Sequence, residues 1–141
     1  MALFTFTKAI LGGEPIEVFN NGEMYRDFTF ISDIVEGVFQ LTSRPPGNSS
    51  LKEPGGTVLE SPYAVYNIGN GNPVPLIKFI ETLESCLGLK AKKVFLPLQL
   101  GDIKGTFADI SALNRLTGYK PAVDIEEGVS QFVQWYRGFY R

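Results

Sequence analysis

Apolar and polar positions follow two rhythms along this chain, one helical and one strand-like. Residues 3–11 carry the helical rhythm, with Phe4, Ile10 and Leu11 as candidate core contacts, and Gly12-Gly13 supplies a stop. Ile16-Glu17-Val18-Phe19 alternates and is β-branched, which predicts a short strand, and Asn20-Asn21-Gly22 predicts a turn. Residues 25–31 form a second strand candidate, with Phe28 and Phe30 on one face. A helix then starts at Ser32 or Asp33. Asp33 followed by Glu36 has the form of a capping box, its carboxylate taking free backbone amides of the first turn. Ile34, Val38 and Leu41, joined by Val35 and Phe39, form the expected buried stripe.

Residues 44–62 are dominated by Pro, Gly and Ser and predict a flexible loop or insertion. Order returns with Tyr63-Ala64-Val65-Tyr66-Asn67-Ile68, a strand pattern, followed by a turn at Gly69-Asn70-Gly71-Asn72-Pro73. A helix from about Pro75 places Ile77, Ile80, Leu83 and Leu87 on one face and ends at Gly88. Val94-Phe95-Leu96 predicts another short strand, and residues 98–105 a loop. Ser111 caps a helix that stops at Gly118. Asp124 and Glu127 repeat the Asp-x-x-Glu start before a last helix carrying Val129, Phe132, Val133, Tyr136 and Tyr140.

The pattern gives a mixed α/β chain read as one domain, residues 1–141, because the parts on either side of 44–62 are too short to fold alone. No succession of β-α-β units is long enough for a complete nucleotide-binding sheet.

Composition narrows the chemistry. A net charge of -2 gives no basic excess for nucleic acid. No apolar run is long enough to span a bilayer, and Met1-Ala2-Leu3-Phe4 lacks the basic region of a signal peptide. The single cysteine, Cys86, precludes an internal disulfide and suits a reducing, cytoplasmic setting; its helical surroundings predict a small core residue. The absence of histidine removes the Ser-His-Asp triad, the Cys-His dyad and nearly every common zinc site, so no metal is assigned and any chemistry would have to use carboxylates, Tyr, Lys or a bound cofactor.

The sharpest local feature is Arg26, set in the aromatic run Tyr25-Arg26-Asp27-Phe28-Thr29-Phe30. Burying a guanidinium is costly unless something pairs with it, and its fork suits carboxylate or phosphate oxygens. Arg26 is therefore either paired with a local carboxylate such as Asp27 or Asp33, or reserved for an anionic ligand. Gly69-Asn70-Gly71-Asn72-Pro73-Val74 imitates a dinucleotide fingerprint but fails at Val74, where the third glycine belongs, and Pro73 removes an amide. Tyr119 and Lys120 are adjacent and do not share a helix face, so they make no catalytic pair. Trp135, Tyr136 and Tyr140 read as packing residues.

Taken in order, Val18-Phe19-Asn20-Asn21-Gly22, Tyr25-Arg26-Asp27-Phe28 with Asp33, Tyr66-Asn67-Ile68-Gly69-Asn70-Gly71, Gly101-Asp102, Thr106-Phe107-Ala108-Asp109, Gly118-Tyr119-Lys120-Pro121 and Glu127-Gly128-Val129 resemble one family. The likeness is to the C-terminal, substrate-binding portion of the NAD-dependent epimerase/dehydratase family, the extended short-chain dehydrogenases. Within it the chain most resembles enzymes of the UDP-glucuronate 4-epimerase type. The family's Rossmann half, glycine-rich NAD loop and Tyr-x-x-x-Lys pair have no counterpart here.

The resemblance implies a UDP-sugar as partner, a homodimer for the full-length protein, and NAD as the full-length protein's cofactor, with none bound by this chain alone. Arg26 would contact the diphosphate, the backbone around Val18 and Phe19 would border the uracil, and Asp102 would accept from a ribose hydroxyl. Gln99 stands where some relatives carry a phosphate-binding arginine and offers only an amide. Leu100 replaces a proline common before Gly-Asp. In the complete enzymes the sugar is oxidised at C4 to a 4-keto intermediate, turns over, and is reduced on its other face. A nucleotide-sugar 4,6-dehydratase or decarboxylase portion is the alternative within the family. Outside it stands a free-standing UDP-sugar-binding or interaction module, whose uncovered apolar surface predicts instability or self-association. Without the NAD loop and the catalytic pair, the purified 141-residue chain is expected to show no turnover of UDP-glucuronate with NAD added; measurable epimerisation would contradict this.

Overall fold

The computed structural model describes residues 2–45 and 64–140; most of the loop expected at 44–62 lies outside the described residues, as does Tyr63. The helices follow the sequence pattern closely: α1 (Ala2–Gly12), α2 (Ile31–Thr42), α3 (Leu76–Leu87), α4 (Ser111–Thr117) and α5 (Ile125–Phe139). Gly88 closes α3 in the left-handed conformation, φ 69°, which glycine adopts without a Cβ penalty. Asp124 caps α5, its side chain accepting from the Glu127 amide, as its spacing predicts.

Strand content is small. β1 (Pro15–Val18) pairs in parallel with β4 (Lys92–Phe95), from Pro15 opposite Lys92 to Val18 opposite Phe95. β2 (Tyr25–Arg26) pairs antiparallel with β3 (Val74–Pro75). Phe19 leaves β1 for a 3-10 turn, Phe19–Gly22, in which Asn20 and Asn21 take positive φ. Asparagine is, after glycine, the residue that best tolerates that region.

The core lies among α1, β1, α3 and α5. Phe79, Ile80 and Leu83 of α3 are fully buried against Ile10, Ile16, Val18, Val129 and Val133. Each such side chain contributes roughly 1.5–3 kcal/mol by leaving water. Phe28 stacks on Phe79 with ring centroids 4.6 Å apart, carrying the chain after β2 onto this core. Cys86 is half-buried beside the same cluster, and its surroundings push the thiol pKa up, burial first and then the charge of Glu126.

Several expectations are corrected. The strand expected over 25–31 is confined to Tyr25–Arg26, because only those two residues find a ladder partner. Residues 64–68 form no strand; they have no ladder partner among the described residues, although Asn67 Nδ2 donates to Asp109 O, and alternation alone does not hold a strand together. The strand expected at 94–96 is displaced to Lys92–Phe95 by its register with β1. Helix α2 starts from Phe30, not from Ser32 or Asp33. The Asp33 carboxylate instead accepts from the amides of Ala122 and Val123, 3.2 and 3.1 Å away, across the fold. Ser111 is the first residue of α4, and Asp109 holds its amide at 2.9 Å.

The expected buried stripe of α2 is mostly uncovered. Val35, Val38 and Phe39 are exposed, Phe39 at 67%, while Asp33 and Gly37 face inward. Leu11, expected in the core, is 40% exposed. α5 ends at Phe139, and Tyr140 packs outside it on the rings of Phe4 and Tyr136. An apolar cleft of about 330 Å³ opens beside the start of α2, lined by residues including Phe28, Phe30, Ile31, Ile34 and Phe132. An amphipathic helix buries its apolar side only where a partner surface exists, and the described residues provide none here.

One buried carboxylate ties α3 to β4. Glu84 is 3% exposed and accepts from Lys90 Nζ at 2.8 Å, from the Ala91 amide at 3.0 Å and from Lys93 Nζ. Burial acts to raise its pKa, but the two ammonium groups and the amide outweigh it and hold the carboxyl at about 2, against an ordinary 4.5. A carboxyl whose folded pKa is depressed adds stability that is complete above its unfolded pKa and is lost as pH falls. Urea unfolding is therefore expected to show the advantage of the wild type over Glu84→Gln undiminished at neutral pH and shrinking between pH 4.5 and about 2. A pH-independent difference would contradict the assignment.

Candidate functional site

β1 and β4 end together at Val18 and Phe95, and the chain leaves both ends toward one region. The Leu96 amide donates to Val18 O, and the Asn21 amide to Leu96 O, both at 3.0 Å, so the two departing segments stay joined. One continues through the 3-10 turn into β2, which carries Arg26. The other turns at Gln99–Asp102, where the Asp102 amide donates to Gln99 O at 3.1 Å.

Tyr25 then binds this second segment. Its amide donates to Lys104 O at 3.1 Å and its carbonyl accepts from the Thr106 amide at 3.3 Å. Gly105 is required between them: a Cβ there would sit 1.9 Å from the Tyr25 ring.

This stitching brings Arg26 to Asp102. Nη2 of Arg26 lies 2.9 Å from Asp102 Oδ1, while Nη1 donates to the carbonyls of Tyr25 at 2.9 Å and Lys104 at 3.3 Å. Asp102 Oδ1 also accepts from the Ile103 amide at 2.9 Å. The pair is part-exposed, with 26% of the arginine and 32% of the aspartate side chain open. Arg26 is thus paired with neither Asp27 nor Asp33. Its partner lies 76 residues away.

The other expected residues are placed as follows. Val18 is fully buried, and its carbonyl is occupied by Leu96, whereas Phe19 is half-buried. Gln99 is exposed and joins the site region through its carbonyl, and Leu100 beside it is fully open.

Asp27 is the residue that local sequence reasoning undervalued. Its Oδ2 accepts from the amides of Gly71 at 3.0 Å and Ala108 at 2.9 Å, and its own amide donates to Thr106 Oγ1 at 3.0 Å. Asp27 Oδ1 is buried without a hydrogen-bond partner among the described residues. One carboxylate thereby holds β2, the 69–73 loop and the 104–108 segment together directly behind Arg26. The only sequence signal was its position beside Arg26. Tyr119, next to this junction, is buried and donates its hydroxyl to Gly69 O at 3.2 Å; burial, then the charges of Asp33 and Asp27, push its pKa up.

The 69–74 loop does not fit a dinucleotide. The Gly71 amide points to Asp27, Pro73 has none, and Val74 pairs with Arg26 in the β2–β3 ladder. Among the described residues no cluster of His, Cys, Asp and Glu could hold a metal ion, and no helix is long and apolar enough to cross a membrane.

No family model matches the chain. Individual proteins do. It is 48% identical over 144 residues to an uncharacterised 37.6 kDa protein of Escherichia coli O111:H-, with all of this chain but 43% of that protein covered. It is 44% identical over 146 residues to UDP-glucuronate 4-epimerase 5 of Arabidopsis thaliana, covering 99% of this chain and 33% of that one. The crystal structure of the UDP-glucuronic acid 4-epimerase of Bacillus cereus, in complex with UDP-glucuronic acid and NAD, superimposes with a TM-score of 0.78 at 29% identity over 99% of this chain and 40% of that one. The chain thus spans less than half the length of each. The fold is that of a portion of an epimerase/dehydratase enzyme. Over its whole length the chain is similar to part of such UDP-glucuronate 4-epimerases, and the likeness is consistent with their C-terminal part.

Asp27→Ala is expected to lower stability by about 2–3 kcal/mol, because two backbone amides lose a charged acceptor. Urea unfolding measures this, and a change below about 0.5 kcal/mol would remove Asp27 from its proposed role as the tie between these segments.

Proposed function

We propose that this chain is the nucleotide-sugar-binding portion of an NAD-dependent UDP-glucuronate 4-epimerase. One observation carries the proposal: a part-exposed arginine and aspartate, from distant parts of a chain similar to such epimerases, meet in a single site. A guanidinium takes diphosphate oxygens in charge-assisted hydrogen bonds, and a carboxylate takes ribose hydroxyls. Arg26 holds the diphosphate and Asp102 the ribose. The backbone about Val18 and Phe19 borders the uracil, with half-buried Phe19 as its accessible member. Gln99, exposed on the same turn as Asp102, adds a neutral amide donor, so the diphosphate charge falls mainly to Arg26.

The chemical logic is anchoring at one end. Epimerisation at C4 requires the sugar to present both faces in turn, and a nucleotide fixed by Arg26 and Asp102 leaves the hexose free to rotate. NAD supplies hydride chemistry when bound by the full-length protein, and the 69–74 loop of this chain is not its cradle. In the relatives, the length that this chain does not match leaves room for a cofactor site, and a surface of that kind would cover the exposed side of α2. The proposal includes a homodimer of the full-length protein and a cytoplasmic location; the lone, half-buried Cys86 suits a reducing compartment.

Arg26→Ala is expected to weaken UDP binding by roughly 1.5–3 kcal/mol, the range for hydrogen bonds to a charged group. Isothermal calorimetry with UDP decides the matter. Unchanged affinity would leave Arg26 a purely structural partner of Asp102 and reject the diphosphate role.

A further inference from the structure

The free molecule already compensates the charge that a diphosphate needs. Arg26 makes three hydrogen bonds within the chain, two from Nη1 to backbone carbonyls and one from Nη2 to Asp102, and Asp102 Oδ1 is shared with the Ile103 amide. A lone anion approaching Arg26 meets a neutral ion pair. To take the Nη2 donor held by Asp102 it must displace a carboxylate, and an anion bound elsewhere on the guanidinium still lies beside that negative charge. A nucleoside alone offers hydroxyls to Asp102 and no charge to the arginine.

From this geometry we propose that the Arg26–Asp102 ion pair is a selectivity lock, exchanged only for a ligand that carries a diphosphate and a vicinal diol on one molecule. This rests on the nucleotide-binding assignment above and adds a reason for the pairing. The diphosphate replaces Asp102 on Arg26, and the ribose hydroxyls replace Arg26 on Asp102. Each half of the ligand satisfies the group that the other half releases. The part-exposure of both side chains lets the exchange proceed from solvent without opening the core. Inorganic pyrophosphate and uridine each supply only one half, and each is disfavoured. Asp102 therefore acts as a specificity-determining residue as well as a hydroxyl acceptor.

The test compares three ligands on the 141-residue chain: UDP, uridine and inorganic pyrophosphate, titrated calorimetrically at fixed ionic strength, since salt screens such charges. Asp102→Asn, with Asp102→Ser as a second charge-removing variant, is expected to bind pyrophosphate at least about threefold more tightly than the wild type, the scale of a released part-exposed ion pair. The preference for UDP over pyrophosphate is expected to fall by about tenfold or more, because the ribose contact is lost together with the lock. In an Arg26→Ala background the same Asp102 substitutions should bring no gain for pyrophosphate, which separates release of Arg26 from a general easing of negative charge. Unchanged or weaker pyrophosphate binding in both Asp102 variants, with UDP still bound by the wild type, overturns the lock and leaves the nucleotide site standing. An equal gain without Arg26 also overturns it. A wild-type chain that does not bind UDP removes the nucleotide site itself, and the lock with it.

Discussion

Backbone amides that no sheet satisfies are the constraint on which this structure depends. Two short two-stranded ladders leave long connecting segments whose N–H groups need acceptors once buried. Carboxylates supply them. Asp27 takes the amides of Gly71 and Ala108, Asp33 those of Ala122 and Val123, and Glu84 that of Ala91. Asp33 and Glu84 join segments that no ladder connects, the stretch entering α5 and the turn from α3 to β4, and Asp27 extends the β2–β3 pairing into the loop before β3 and the 104–108 segment. A carboxylate offers two oxygens and several lone pairs, so one residue can fasten two amides where a neutral side chain would fasten fewer.

The site inherits its geometry from that stitching. Arg26 and Asp102 face each other because Tyr25 exchanges hydrogen bonds with Lys104 and Thr106, and because Asp27 anchors the same segment from behind. The parallel β1–β4 ladder delivers both arms from one end, which brings Phe19 and Gln99 into the same quarter of the molecule. Lys104 contributes through its carbonyl, and its charge has no part in holding Arg26.

The uncovered surfaces are as informative as the site. Val35, Val38 and Phe39 on α2 and the apolar cleft beside Ile31 and Ile34 are what an amphipathic helix looks like when no described surface covers its apolar side. That agrees with a chain spanning less than half of its relatives' length.

Local interactions were legible in the sequence. The five helices, the Asp124–Glu127 cap, the stop at Gly88 and the apolar faces of α3 and α5 all follow from spacing within a few turns, since helical hydrogen bonds and caps close over four residues. The sequence also determined that Arg26 needs an anionic partner, because a guanidinium in an apolar run cannot go unpaired. Only the tertiary structure decided which one. Asp27 and Asp33 stood close in sequence, yet both are committed to backbone amides of distant segments, and Asp102 is the carboxylate that faces the guanidinium. The same reason explains the missing strands and the exposed face of α2. Alternation and amphipathicity state what a segment can bury, but a ladder or a covered face requires a second surface, and its presence is a fact of three dimensions.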